Sequence, residues 1–184
     1  MFAALSWLWI NHRYDGPILS LERMFYALAW HRPATIHWLH RTPMLRQLGA
    51  PTEVVRLFFI VFKVLQFGVF AGWWIYFTET SGPRGAVPEF ALLLGASLIA
   101  FGQMLNVSVF ARLGNHGVFY GCRLGYTVPW QNRFPFTWLR HPQYVGTVLS
   151  IWGLFIVLRY PAPDWWIIPV IEVGLYTLSA HVEQ

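Results

Sequence analysis

The stretch FPFTWLRHPQYVG, residues 134–146, places Arg140, His141, Tyr144 and Gly146 around one proline. Proline suits the first position of a helix, and the residue before it is pushed towards extended geometry. The spacing therefore predicts a helix from Pro142 with His141 just outside it. The free backbone N–H groups at such an end carry partial positive charge and bind anions. Arg140 adds a fixed charge with fork geometry, His141 and Tyr144 add hydrogen-bonding tips, and Gly146 leaves room for close backbone approach. Such a group suits a carboxylate or a phosphate. The competing reading is that Arg140 and His141 snorkel at a membrane surface.

Other residues could also do chemistry. In LGNHGVFYGCRLGYTVPW, residues 113–130, Gly114, Gly117, Gly121 and Gly125 recur among Tyr120, Tyr126 and Trp130. That pattern fits a tight backbone around a flat ligand, or turns that need no ligand. Lys63 and Glu172 lie inside apolar runs, where ionisable residues point to function or to each other. Glu183, near the end of the last apolar run, could balance a cationic ligand or be an ordinary helix-end charge. None of the seven histidines falls in the middle of an apolar run, as a haem-holding pair would, and His37 with His40 is only half of a zinc site. With one cysteine, Cys122, neither a disulfide framework nor a metal site is expected.

The elements that must position these residues are membrane helices. Hydrophobic residues make up 56% of the 184-residue chain and charged ones 11%, against a usual charged share of about 25%. The expected fold is an all-α integral membrane protein, one domain over 1–184. It has four transmembrane helices at about 53–77, 89–110, 142–158 and 164–182, preceded by interfacial or re-entrant helices within 1–52. Ile18 to Trp30 is apolar but carries Glu22 and Arg23, and Phe2 to Ile10 is too short to cross. No basic residues precede FAALSWLWI and no A-x-A-like site follows it, so no cleaved signal is expected.

Residues 1–52 carry Arg13, Arg23, Arg32, Arg41 and Arg46, and the 111–141 loop carries Arg112, Arg123, Arg133 and Arg140; the other side has Arg84 and Arg159. The positive-inside rule then puts both termini and that loop in the cytoplasm. Trp73, Trp74, Tyr76, Trp165 and Trp166 sit at span ends, as an aromatic belt requires. The +5 charge is scattered among apolar runs without a basic recognition face, which fits an anionic membrane surface and excludes nucleic acid.

AFGQMLN (100–106), LGNHGVFYGCRLG (113–125), VPW (128–130), FPF (134–136), RHPQYVG (140–146) and HVEQ (181–184) stand together in one order and spacing. In these motifs the chain resembles the phosphatidylethanolamine N-methyltransferase family, most closely its short phospholipid N-methyltransferase branch. The resemblance runs over residues 18–184 in hydropathy and is dense from Ala100 to Gly146. Membrane methyltransferases that act on prenylated cysteine share the Arg-His-Pro-x-Tyr-x-Gly pattern, so methylation of such a carboxylate is the alternative activity.

The resemblance implies S-adenosylmethionine as cofactor, held at the cytoplasmic interface without a Rossmann domain; no G-x-G-x-x-G follows a strand pattern. It implies N-methylation of phosphatidylethanolamine or its mono- and dimethyl forms towards phosphatidylcholine. The membrane would be the endoplasmic reticulum in a eukaryote and the inner membrane in a bacterium. A Gly-x-Gly element of the family falls on Ala100, Phe101 and Gly102, so one glycine is kept. The Arg-His-Pro-x-Tyr-x-Gly element matches fully, and the family's paired glutamates fall on Glu183 and Gln184, an amide in the second place. Chains of the family usually run on after this point, which implies an incomplete cofactor site or a shortened chain. The cofactor residues implied are Gly102, Tyr120, Gly121, Arg140, His141, Pro142, Tyr144, Gly146 and Glu183. Glu183, His116, His141 or water would take the proton of the amine, and Arg112 or Arg123 would hold the lipid phosphate.

Overall fold

The computed structural model describes residues 16–81, 86–160 and 165–182, and every regular element among them is helical. The helices are α1 (Gly16–His31), α2 (Pro33–His40), α3 (Pro43–Arg46), α4 (Pro51–Ser81), α5 (Glu89–Val118), α6 (Pro142–Arg159) and α7 (Ile167–Val182), with a 3-10 turn at Gly121–Arg123. Four of them, α2, α3, α4 and α6, begin on a proline, whose fixed φ and missing N–H suit the first helical position. Helix α6 ends where Tyr160 turns extended (φ −65°, ψ 139°), as a residue ahead of a proline must.

Among the described residues three helices are long and apolar enough to cross a membrane: Pro51–Tyr76, Glu89–Arg123 and Pro142–Arg159. Helix α7 has 16 residues and falls short of that length among the described residues. One expected boundary needs correction. Helix α5 continues from 110 to Val118, because Ala111, Arg112 and Leu113 are good helix formers; Gly114 (φ 61°, ψ −176°) then breaks its regular course. The expected 111–141 loop is therefore shorter, beginning after Val118. The segment Phe2 to Ile10 lies outside the described residues.

By backbone contacts the chain forms two units, one of residues 86–112, 131–160 and 165–182, the other of residues 16–81 and 113–130. The first unit is built on a glycine seam between α5 and α6. Gly95 and Gly102 are seven residues apart, as are Gly146 and Gly153, so each pair lies on one helix face two turns apart. A Cβ on Gly95 would meet the Gly153 carbonyl at 2.7 Å, and one on Gly146 would meet the Gly102 carbonyl at 2.6 Å. The helices run antiparallel in backbone contact, the close approach small residues permit in lipid. Gln103 donates to the Ser150 hydroxyl at 2.9 Å, and that hydroxyl donates to the Gly146 carbonyl. At the far end of α6, Phe90, Tyr160, Trp165 and Trp152 form a chain of edge-on rings.

In the second unit α1 packs against α2 and α4, and α2 against α4. Phe25 stacks on Phe58 at 4.3 Å, and Ala29, Ile36, Val54 and Val55 are fully buried. Glu22, only 6% exposed, pairs with Lys63 at 3.2 Å and accepts from Gln66, which in turn accepts from Lys63. Lys63 thus finds its carboxylate on α1. Its place halfway along Pro51–Tyr76 means that α1 runs antiparallel beside α4 to mid-span depth.

Candidate active site

The first unit carries the start of α6. His141 is its N-cap (φ −126°, ψ 68°) and Pro142 its first residue, as the spacing predicts. The His141 side chain makes no capping hydrogen bond. The first-turn N–H of Gln143 has no acceptor within the helix. The aromatic run before the helix delivers Arg140: Phe134 packs edge-on against Trp138, Pro135 is fully buried, and Leu139 donates to the Pro135 carbonyl. Arg140 itself is exposed and makes no hydrogen bond or ion pair among the described residues.

The His141 ring lies parallel to Tyr144 at 5.8 Å, and Tyr144 packs on Tyr176 of α7 at 5.6 Å. The Nε2 atom of His141 is buried without a hydrogen-bond partner among the described residues, and so is Oδ1 of Asn106. Leaving such a group unpaired costs about 1–3 kcal/mol, so His141 marks a place where a polar partner is wanted. Asn106 faces the backbone of Gly146, where a Cβ would come within 2.7 Å of its carbonyl. Gly102 and Gly146 belong to the seam, and helix contact accounts for their being glycine. Arg112 reaches back to the Phe134 carbonyl at 3.4 Å. Glu183 and Gln184 lie outside the described residues.

The second unit collects His116, Tyr120, Gly121 and Arg123 around the first turns of α4 and the end of α1. His116 shares a hydrogen bond through Nδ1 with the buried Thr52 hydroxyl at 2.9 Å and stacks on Tyr126 at 4.2 Å. The bond and the stacking fix the ring plane, and Nε2 is a proton acceptor in the tautomer whose Nδ1–H donates to Thr52. Beside it, Asn115 donates to Glu53, which pairs with Arg56. Tyr120 adopts a left-handed conformation (φ 56°, ψ 29°) uncommon outside glycine, and its ring meets Tyr26 and Trp30 edge-on at 6.1 and 5.6 Å. The Arg123 guanidinium covers the Trp30 ring at 4.1 Å. Gly121 is buried with its Cα against the His116 carbonyl, so a backbone crossing, rather than a flat ligand, explains this glycine.

Sequence reasoning missed Asn106, Ser150, Thr52 and Trp30. The seven-residue glycine spacing was a legible signal for the seam that brings Asn106 and Ser150 to α6; nothing local marks Thr52 or Trp30.

The comparisons with known proteins bear on these same residues. Residues 90–183 match the Phospholipid methyltransferase family, just over half of the chain. Over 54 residues the chain is 50% identical to "Phosphatidyl-N-methylethanolamine N-methyltransferase" of Arabidopsis thaliana, covering 29% of this chain and 33% of the relative. The matched segment thus spans about a third of the length of that curated relative. No solved structure matches. With the motif set, the α6 start and the family match all falling on one half of the chain, the protein belongs to the phospholipid methyltransferase family.

Proposed function

We propose that the chain moves a methyl group from S-adenosylmethionine to the amine of phosphatidylethanolamine or its mono- and dimethyl forms, towards phosphatidylcholine. The observation that carries the reading is the family match over the segment containing the α6 start, where the exposed Arg140 stands beside a helix N-terminus. The residues fit the amino-acid end of that cofactor. Arg140 would take its carboxylate with the N–H of Gln143 at the start of α6, and the buried Nε2 of His141 would gain the partner it lacks. When bound, S-adenosylmethionine supplies a methyl group on a positively charged sulfur, open to in-line attack by a neutral amine.

The chain's own part is mainly positioning. Tyr144, held between His141 and Tyr176, and the start of α6 at Pro142 shape the pocket wall, with Gly102 and Gly146 setting the helix spacing behind it. His116, His141 or Glu183 takes the amine proton, and Glu183 balances positive charge. A lipid phosphate would draw Arg123 from Trp30 or Arg112 from the Phe134 carbonyl. Helix α7, 16 residues and so about 24 Å long, completes a fourth crossing if the bilayer thins or the helix extends at its ends. Both termini then face the cytoplasm.

Two measurements test this. Purified protein given labelled cofactor and each of the three amine lipids in turn is expected to methylate at least one; transfer to none of them overturns the assignment. Arg140→Ala is expected to weaken cofactor binding by about 10- to 100-fold in calorimetry, the range for losing a charged hydrogen bond, with thermal stability unchanged because the side chain is exposed.

A further inference from the structure

Helices α2 and α3 present an open surface of one sign. From Met24 to Thr52 the sequence holds no aspartate or glutamate, while it carries Arg32, Arg41 and Arg46 with His31, His37 and His40. The three arginines are exposed, and none of their side chains makes a hydrogen bond or ion pair among the described residues. Large apolar side chains stand out among them: Trp38 is 65% exposed, Met44 79% and Leu48 40%. The segment is nevertheless anchored, with Ile36 and Ala29 fully buried and His40 bonded through Nε2 to the Gly49 carbonyl at 2.6 Å. The exposure is therefore a property of a seated element.

Position narrows the partner. Arg46 stands five residues before Pro51, where the first span begins, so it lies at most about 18 Å along the chain from the bilayer edge. A bilayer surface meets both halves of this composition, with phosphates for the arginines and the acyl boundary for Trp38, Met44 and Leu48. A nucleic acid would match the charge but leave the exposed Met44 and Leu48 in water.

We propose that α2 and α3 form a binding surface for anionic phospholipid headgroups beside the first span. This does not depend on the methyl-transfer reading. The test is hydrogen exchange of the full chain in nanodiscs of phosphatidylcholine, with and without phosphatidylglycerol. Exchange across residues 33–48 is expected to slow severalfold when phosphatidylglycerol is present. The slowing should vanish at about 1 M salt, where the screening length falls to about 3 Å. It should also vanish in the triple variant Arg32→Gln, Arg41→Gln, Arg46→Gln, each single change weakening headgroup affinity about fivefold. Unchanged exchange in α4 would report that the variant is folded, and the salt arm needs no variant. Equal slowing in both discs would mean apolar contact with any bilayer, and fast exchange in both would leave the surface to a protein or nucleic acid; either result overturns the proposal.

Discussion

Between α5 and α6, Gly95, Gly102, Gly146 and Gly153 face one another so closely that an added Cβ would land on the opposing backbone. In the segment 113–130 the glycines are as dense, yet Gly114 and Gly125 have nothing within 4 Å of a would-be Cβ and are set apart by positive φ, 61° and 87°. The first set lets two membrane helices touch, and the second lets the chain turn. The segment between its turns is secured instead by side chains, His116 on Thr52 and Tyr126, Tyr120 on Trp30 and Tyr26. A glycine-rich motif thus says little until one knows whether backbone or open space stands beside each Cα.

Substitutions can break this contrast. Gly146→Val is expected to do the most harm, because its Cβ would meet the Gly102 carbonyl and Asn106, both fixed by helices. Overpacking of about 3 kcal/mol should lower the unfolding temperature in detergent and abolish the proposed methyl transfer. If Gly146→Val left both unchanged, the seam would not be what sets the helix spacing. Gly121→Ala comes next: its Cβ would press on the His116 carbonyl, and a loss of about 2 kcal/mol would tilt the His116 ring from Tyr126 and Thr52. Gly125→Ala meets no atom and only the left-handed backbone, so about 1 kcal/mol is expected from the same melting measurement. Gly72→Ala, in mid-helix with nothing within 4 Å, should be neutral or stabilise by up to about 1 kcal/mol. A steep order from Gly146 to Gly72 sharpens the contrast; a flat one removes it.

Much of the candidate site was legible beforehand where its causes are local. The α6 start at Pro142 with His141 outside follows from proline's ring and its missing N–H, and the helix begins there. The end of α5 was misjudged because the apolar run stops at Phe110 while helix-forming residues continue; hydropathy marks what lies in lipid, and backbone hydrogen bonds need not stop with it. Gly102 and Gly121 were singled out as cofactor residues, and what stands against them is backbone 44 and 5 residues away, at Gly146 and His116.

Composition and pattern were enough to establish a helical membrane chain, its proline-started helices and its motif set, because hydropathy, φ restriction and residue spacing act over a few residues at a time. Only the tertiary structure decided that Glu22 serves Lys63, that Thr52 holds His116, that Arg123 rests on Trp30, and that Asn106 faces Gly146. Each of these joins residues far apart in the chain. A buried charge, a ring face or a bare Cα must find a partner, but its own neighbourhood in sequence does not say which, and only packing the helices brings one within reach.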